Sequence, residues 1–199
     1  MFIDLTVTLR DKTPPYPGSL EMSLTDKFTM EKDGFISRYL CSDMHTGTHI
    51  DLPMHFGINP LTANLFPVDS FVGEGILLSS DEKLIDLPLV DITGKCLIIK
   101  TGHGKNFGKD GYFENHPVLS ERFVSQIVAE KPLLIGIDAP SPDYFPFNCH
   151  KMLLKAGIPI VENLCNLESL PYKKPFRFFA IPLKIQAEAS LVRAFAEIL

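Results

Sequence analysis

Asp43-Met-His-Thr-Gly-Thr-His-Ile-Asp-Leu-Pro-Met-His-Phe56 carries three of the chain's six histidines, His45, His49 and His55, and with them Asp51, within eleven residues. A helix would set His45 and His49 one turn apart, as in zinc-binding helices with histidines at i and i+4. The neighbouring residues oppose it. Thr46, Thr48 and Ile50 are β-branched, Gly47 interrupts the run, and Pro53 lacks the N–H that a helix interior needs. Extended chain is predicted instead, and with it a fold built on a sheet. Strand side chains repeat every two residues. One face would then carry His45, His49, Asp51 and His55, pointing away from the core, and the other Thr46, Thr48, Ile50, Leu52 and Met54. A rise of about 3.3 Å per residue puts His45 and His49 roughly 13 Å apart, near the limit for two imidazoles sharing one ion at about 2.0–2.1 Å. The strand should therefore bend, and Gly47 lies midway to bend it. Imidazoles and a carboxylate converging in this way form the donor set of a divalent metal site. Cys41 has the same parity and is either a further thiolate ligand or a small packed hydrophobe.

The rest of the chain sets the frame for that site. Its 199 residues, 45% hydrophobic and 22% charged, suit a single domain over 1–199 with a substantial core. Net charge is −5 and no run of Lys or Arg occurs, so nucleic acid is not an expected partner. Met-Phe-Ile-Asp-Leu-Thr opens the chain without a basic region leading into an apolar stretch, and no segment has the apolar length of a membrane span. Cys41, Cys96, Cys149 and Cys165 are scattered without a C-x-x-C pair. Together these features predict a cytoplasmic protein with reduced thiols.

Strands are predicted over 2–9, 71–78, 96–100, 133–137, 158–161 and 176–181, with a polar hairpin through 20–42 turning at Lys32-Asp33-Gly34. Thr13-Pro14-Pro15-Tyr16-Pro17-Gly18 must be a loop. Ser120 caps a predicted amphipathic helix over 120–130, and a second, short helix covers 149–156. Several strands are continuous apolar runs, as in a sheet covered on both faces. The fold class expected is α/β, with a mixed, partly barrel-like sheet and a few helices.

His45, His49 and Asp51 leave coordination positions unfilled. Downstream, His150 opens a helix-like segment, and Glu162 follows the apolar Ile158-Pro-Ile-Val161. A charge there is either on a metal or in a salt bridge at a strand end.

The run from His45 to His55 resembles the signature of the cyclase family, whose best understood members are bacterial kynurenine formamidases. Thr101-Gly102, Tyr112-Phe113 with Asn115-His116-Pro117, Gly136-Ile137-Asp138-Ala139-Pro140-Ser141-Pro142-Asp143, and Ala180-Ile181-Pro182-Leu183 resemble family segments in the same order. The resemblance implies a swivelling β/β/α fold assembled as a homodimer or larger homo-oligomer. It also implies one or two divalent ions, zinc or manganese. His45, His49 and Asp51 would hold one ion, Asp51 and Glu162 would bridge to a second that His150 also binds, and His55 would move protons. The activity implied is an arylformamidase-like hydrolysis of a small molecule, with N-formylkynurenine of tryptophan catabolism as one candidate.

Such a centre suits hydrolysis, because a divalent ion acidifies water and polarises a carbonyl. A histidine with a pKa near 6.5 can return the proton to a leaving nitrogen. The sequence departs from the formamidase pattern where substrate would be touched. Tyr16-Pro17-Gly18-Ser19 replaces a tryptophan followed by Pro-Gly-Asp, His103 replaces an aromatic after Thr-Gly, and Gln186-Ala-Glu-Ala-Ser190-Leu-Val-Arg193 replaces a glycine-bearing segment. Tyr16 either stacks on substrate or covers the core. His103 reads as a surface loop residue and His116 as structural, while Asp138 and Asp143 cap turns or support ligands. The competing functions are ring opening of an isatin-like lactam or a lactone, and metal or ligand binding without catalysis.

Overall fold

The computed structural model describes residues 1–88, 90–172 and 174–199. Among these the strands are β1 (Phe2–Asp4), β2 (Ser23–Phe28), β3 (Ser37–Cys41), β4 (His49–Asp51), β5 (Val72–Ser79), β6 (Leu84–Ile85), β7 (Cys96–Lys100), β8 (Val118–Leu119), β9 (Leu134–Ile137), β10 (Ile160–Glu162), β11 (Phe176–Phe179), β12 (Ala189–Leu191) and β13 (Phe195–Ile198). The α-helices are α1 (Met30–Asp33), α2 (Glu121–Glu130) and α3 (Asn148–Lys155).

Nine strands form one sheet in the order β1-β13-β11-β5-β7-β9-β10-β4-β12. Its centre, β5-β7-β9-β10, is parallel, and its flanks are antiparallel. Cys96 and Ile98 of β7 point into one core with Phe176 and Phe178, whereas Leu97 and Ile99 pack on the other face with Phe123, Val124 and Ile127 of α2. Burial on both faces is why these strands read as unbroken apolar runs. The sheet curls into a half-barrel. Past β1, Thr6 bridges Leu164, and the Cys165 N–H donates to the Leu5 carbonyl at 3.0 Å, so the chain beyond β1 reaches the chain beyond β10. Gly75 permits close pairing of β5 with β11, since a Cβ there would sit 2.1 Å from the Phe176 ring.

The expected α/β class, the mixed curved sheet and the hairpin hold, as does the helix capped by Ser120, whose Oγ accepts the Phe123 N–H at 3.0 Å. Three features differ from expectation. The first strand stops at Asp4, beyond which the chain makes only an isolated bridge. The hairpin carries the short α1 in its turn. β12 and β13, which no apolar run announced, pair with β4 and with β1 and β11. No described helix is long and apolar enough to cross a membrane.

Candidate metal centre

The histidine run forms a paired strand only over β4, which corrects the reading of one strand face from His45 to His55. Gly47 adopts φ +64°, in the left-handed region that glycine tolerates, and swings His45 back towards His49. Pro53 then opens a 3-10 helix, Pro53–Phe56, which carries His55. Alternation survives where the strand is regular. Val161 and Ile50 pair and point into the half-barrel core, while His49 pairs with Glu162 across the ladder on the opposite face. That polar face does not look out to solvent. His49, Asp51 and Glu162 are buried, as is His150 on α3.

The ligand atoms of His45, His49 and Asp51 lie within 4.8 Å of one another, and so do those of Asp51, His150 and Glu162. The two sets share Asp51. His45 Nδ1 is 2.8 Å and His49 Nε2 3.4 Å from Asp51 Oδ1, while His150 Nε2 is 3.6 Å from Asp51 Oδ2 and 3.0 Å from Glu162 Oε1. Two ligands at about 2.1 Å from one tetrahedral ion stand about 3.4 Å apart, so these separations are those of a coordination shell. His49 Nε2, Asp51 Oδ1 and Glu162 Oε1 are buried without a hydrogen bond among the described residues. Buried polar atoms left unpaired are costly unless something else satisfies them, and a cation would satisfy all three.

The other nitrogen of each buried imidazole is anchored. His49 Nδ1 donates to the Gly47 carbonyl at 2.9 Å, and His150 Nδ1 donates to Asp143 Oδ1 at 2.6 Å. Both rings thus turn Nε2 towards the cluster, the arrangement that outer partners impose on metal-binding histidines. Asp143 Oδ2 also accepts the N–H of Cys149 at 2.6 Å, tying the start of α3 to the same carboxylate. The field favours positive charge. Burial acts to lower the His49 pKa, but Asp51 and Glu162 carry it up to about 10. His150 is likewise raised against burial by Asp143, Asp51 and Glu162. Asp51, despite burial, is held well below the usual carboxylate range by His45 and His49.

A cavity of about 270 Å³ opens over the cluster, walled by Tyr16, Phe56, Phe113, Pro140 and Phe147. His55 lines it too, its ring 4.3 Å from that of His45, but it belongs to neither ligand set. Burial lowers its pKa, so at neutral pH it is an uncharged base. Cys41 is exposed at the end of β3, outside the cluster, and is not a ligand here. His103 is half-buried rather than on the surface. It donates from Nε2 to the Tyr112 carbonyl at 2.7 Å, and its ring stacks on Tyr112. Asp138 accepts the N–H groups of Thr101 and Gly102 at 2.6 and 2.9 Å, supporting that turn. Sequence reasoning missed Glu188, whose Oε1 is 3.4 Å from His45 Nε2. It lies in the 186–193 segment that departs from the formamidase pattern, and that departure was the available signal.

A curled α/β sheet with two acid-and-histidine clusters over its β4–β10 pair defines a class of metal-site fold. A family model described as "Putative cyclase" matches residues 3–144, and the chain belongs to that cyclase family. It is 37% identical to an uncharacterized protein of Methanocaldococcus jannaschii over 98% of this chain and 97% of that one. A kynurenine formamidase of Erythrobacter litoralis is 28% identical, covering 96% of this chain and 91% of its own. The solved structure of isatin hydrolase A from Ralstonia solanacearum superposes with a TM-score of 0.88 at 19% identity, over 100% of this chain and 92% of that one, a likeness of fold.

Proposed function

We propose that the protein is a metal-dependent hydrolase of a carbon–nitrogen bond other than a peptide bond, acting on a formamide or cyclic amide. The observation that carries this reading is the pair of ligand triads that meet at the buried Asp51 and leave His49 Nε2, Asp51 Oδ1 and Glu162 Oε1 without a hydrogen-bond partner among the described residues, beneath an aromatic cavity. His45, His49 and Asp51 hold one divalent ion, and Asp51, Glu162 and His150 a second. Imidazole donors favour zinc, and the shared carboxylates also suit manganese. When bound, the metal supplies Lewis acidity that polarises a carbonyl oxygen and acidifies water.

The remaining chemistry belongs to side chains. His55, neutral and facing the cavity, takes the proton from the attacking water and hands it to the leaving nitrogen, which would otherwise depart as a poor amide anion. Phe56, Phe113 and Phe147 exclude solvent and seat an aromatic ring, and Tyr16 contributes to substrate binding. The kynurenine formamidases among the relatives make N-formylkynurenine a substrate to assay. A lactam is the second reading, because the aromatic walls suit a flat bicyclic ring and opening it breaks the same kind of bond.

The whole of residues 1–199 acts as one unit on a small molecule in the cytoplasm. Phe35, Ile36, Tyr39 and Leu40, exposed on and beside β3, support assembly as a homo-oligomer, which light scattering would check. The function is tested by assaying N-formylkynurenine, isatin and a simple lactone with zinc or manganese added to metal-free protein. Metal-dependent turnover of an amide supports the reading; a protein that binds metal and cleaves none of them contradicts it.

A further inference from the structure

Both residues that precede His49 are gripped by Asn163. Its Nδ2 donates to the Gly47 carbonyl at 2.9 Å, and its backbone carbonyl accepts the Thr48 hydroxyl at 2.7 Å. Asn163 follows Glu162, the last residue of β10, so it stands beside one carboxylate of the cluster while holding the turn that places an imidazole. It is buried, as are Gly47, Thr48 and His49. Its backbone takes φ +55°, a left-handed conformation that asparagine accepts more readily than most residues. Its N–H donates to the Ala139 carbonyl at 3.0 Å, which fixes the residue from a third direction.

The donor and acceptor roles along this contact follow from chemistry. The Gly47 carbonyl can only accept, and two nitrogens meet it, Asn163 Nδ2 and His49 Nδ1, each at 2.9 Å. The amide end that faces it is therefore the nitrogen, and the imidazole nitrogen that faces it carries a proton. Asn163 Oδ1 points the other way, where the buried Tyr112 hydroxyl donates to it at 2.7 Å. A line of hydrogen bonds thus runs from Tyr112 through Asn163 and Gly47 to His49. It turns His49 Nε2 towards the acids, 3.4 Å from Asp51 Oδ1 and 3.3 Å from Glu162 Oε2. Gly47 has no side chain with which to hold this turn, so the amide does it.

We propose that Asn163 is a positioning residue for the metal centre: its amide orients the Gly47 carbonyl, that carbonyl holds the His49 ring for metal, and the Tyr112 hydroxyl locks the amide. This rests on the metal-dependent reading above. Loss of a partner behind a ligand weakens metal binding even when every ligand is retained, because the ring then spends part of its time turned away.

The test is zinc affinity by chelator competition on wild type, Asn163→Gly, Tyr112→Phe and the double variant. Glycine keeps the left-handed backbone at 163 while deleting the amide, and Tyr112→Phe deletes one oxygen. Asn163→Gly is expected to bind zinc about tenfold more weakly, the low end for a group that supports a ligand, and Tyr112→Phe to lose less. Because the phenol acts through the amide, the double variant should bind no more weakly than Asn163→Gly. In zinc-loaded protein with ¹⁵N-labelled histidine, the His49 Nδ1 proton resonance should move in both single variants. That of His150, which Asp143 holds, should stay in place, whereas a general loosening would move both. Unchanged zinc affinity with an unmoved His49 signal in folded Asn163→Gly overturns the inference and leaves the metal centre standing. So does equal weakening by Tyr112→Phe with and without Asn163. Should Asn163→Gly not fold, an unmoved His49 signal in Tyr112→Phe overturns it instead. Wild type without saturable zinc binding overturns the metal-dependent reading, and this inference with it.

Discussion

Asp51 is the residue on which the site turns, since both ligand triads include it and its two oxygens face different histidines. His55 stands apart from both sets, and that separation yields a prediction. His55→Ala should lower kcat by about 10²–10⁴, the usual range for a general acid or base, with metal content by elemental analysis near wild type; loss of metal would make it a ligand. Asp143 acts through His150. Asp143→Asn keeps an acceptor for the start of α3 but weakens the anchor on Nδ1, so metal affinity in a chelator competition should fall about 10- to 100-fold. The candidate cluster was legible in the sequence in so far as metal chemistry restricts residue type and β4 fixes the spacing of His49 and Asp51; His150 and Glu162 entered through the family resemblance. From sequence Asp143 reads only as capping a turn or supporting ligands, and Glu188 is not assigned, because a carboxylate far along the chain meets His45 only once the 186–193 segment folds against β4.

At the scale of elements, the turn at Gly47 matters more than the strand it interrupts. A Cβ at position 47 would stand 2.5 Å from Leu9 Cδ2 and 3.2 Å from Val7 Cγ2, on a backbone already at φ +64°. Gly47→Ala should therefore cost about 1–3 kcal/mol, whereas Gly34→Ala, also left-handed but in open space, should cost no more than about 1 kcal/mol. Thermal unfolding of the two variants checks the order. The sequence showed Gly47 as the bending point but not that the bend would leave only His49–Asp51 as regular strand. Parity could not reveal this, since a turn and a 3-10 helix preserve it by accident. The apolar centre of the sheet was legible because both of its faces are buried. β12 and β13 were not, because short strands such as Ala189-Ser190-Leu191 owe their form to the edge they join.

Across the whole molecule, the metal-free fold carries a pH dependence of known sign. The folded pKa of His49, about 10, lies above an unfolded value near 6.5. Its stabilising contribution is complete below about pH 6.5 and is lost as pH climbs towards 10. Asp51, lowered on folding, contributes above an unfolded value near 3.8 and loses its contribution on acidification. The Tm of metal-free protein should thus fall from pH 6.5 towards 10, and bound metal should flatten that fall because it replaces the protons on the imidazoles. The central claim is that buried acids and histidines meet at Asp51 to hold a divalent cation, and calorimetric titration of metal-free wild type and Asp51→Asn with zinc or manganese tests it most directly. Wild type should bind one or two equivalents saturably, with proton release into the buffer, and a folded Asp51→Asn should bind at least about a hundredfold more weakly. Absence of saturable binding to wild type, or equal affinity in the variant, would contradict it.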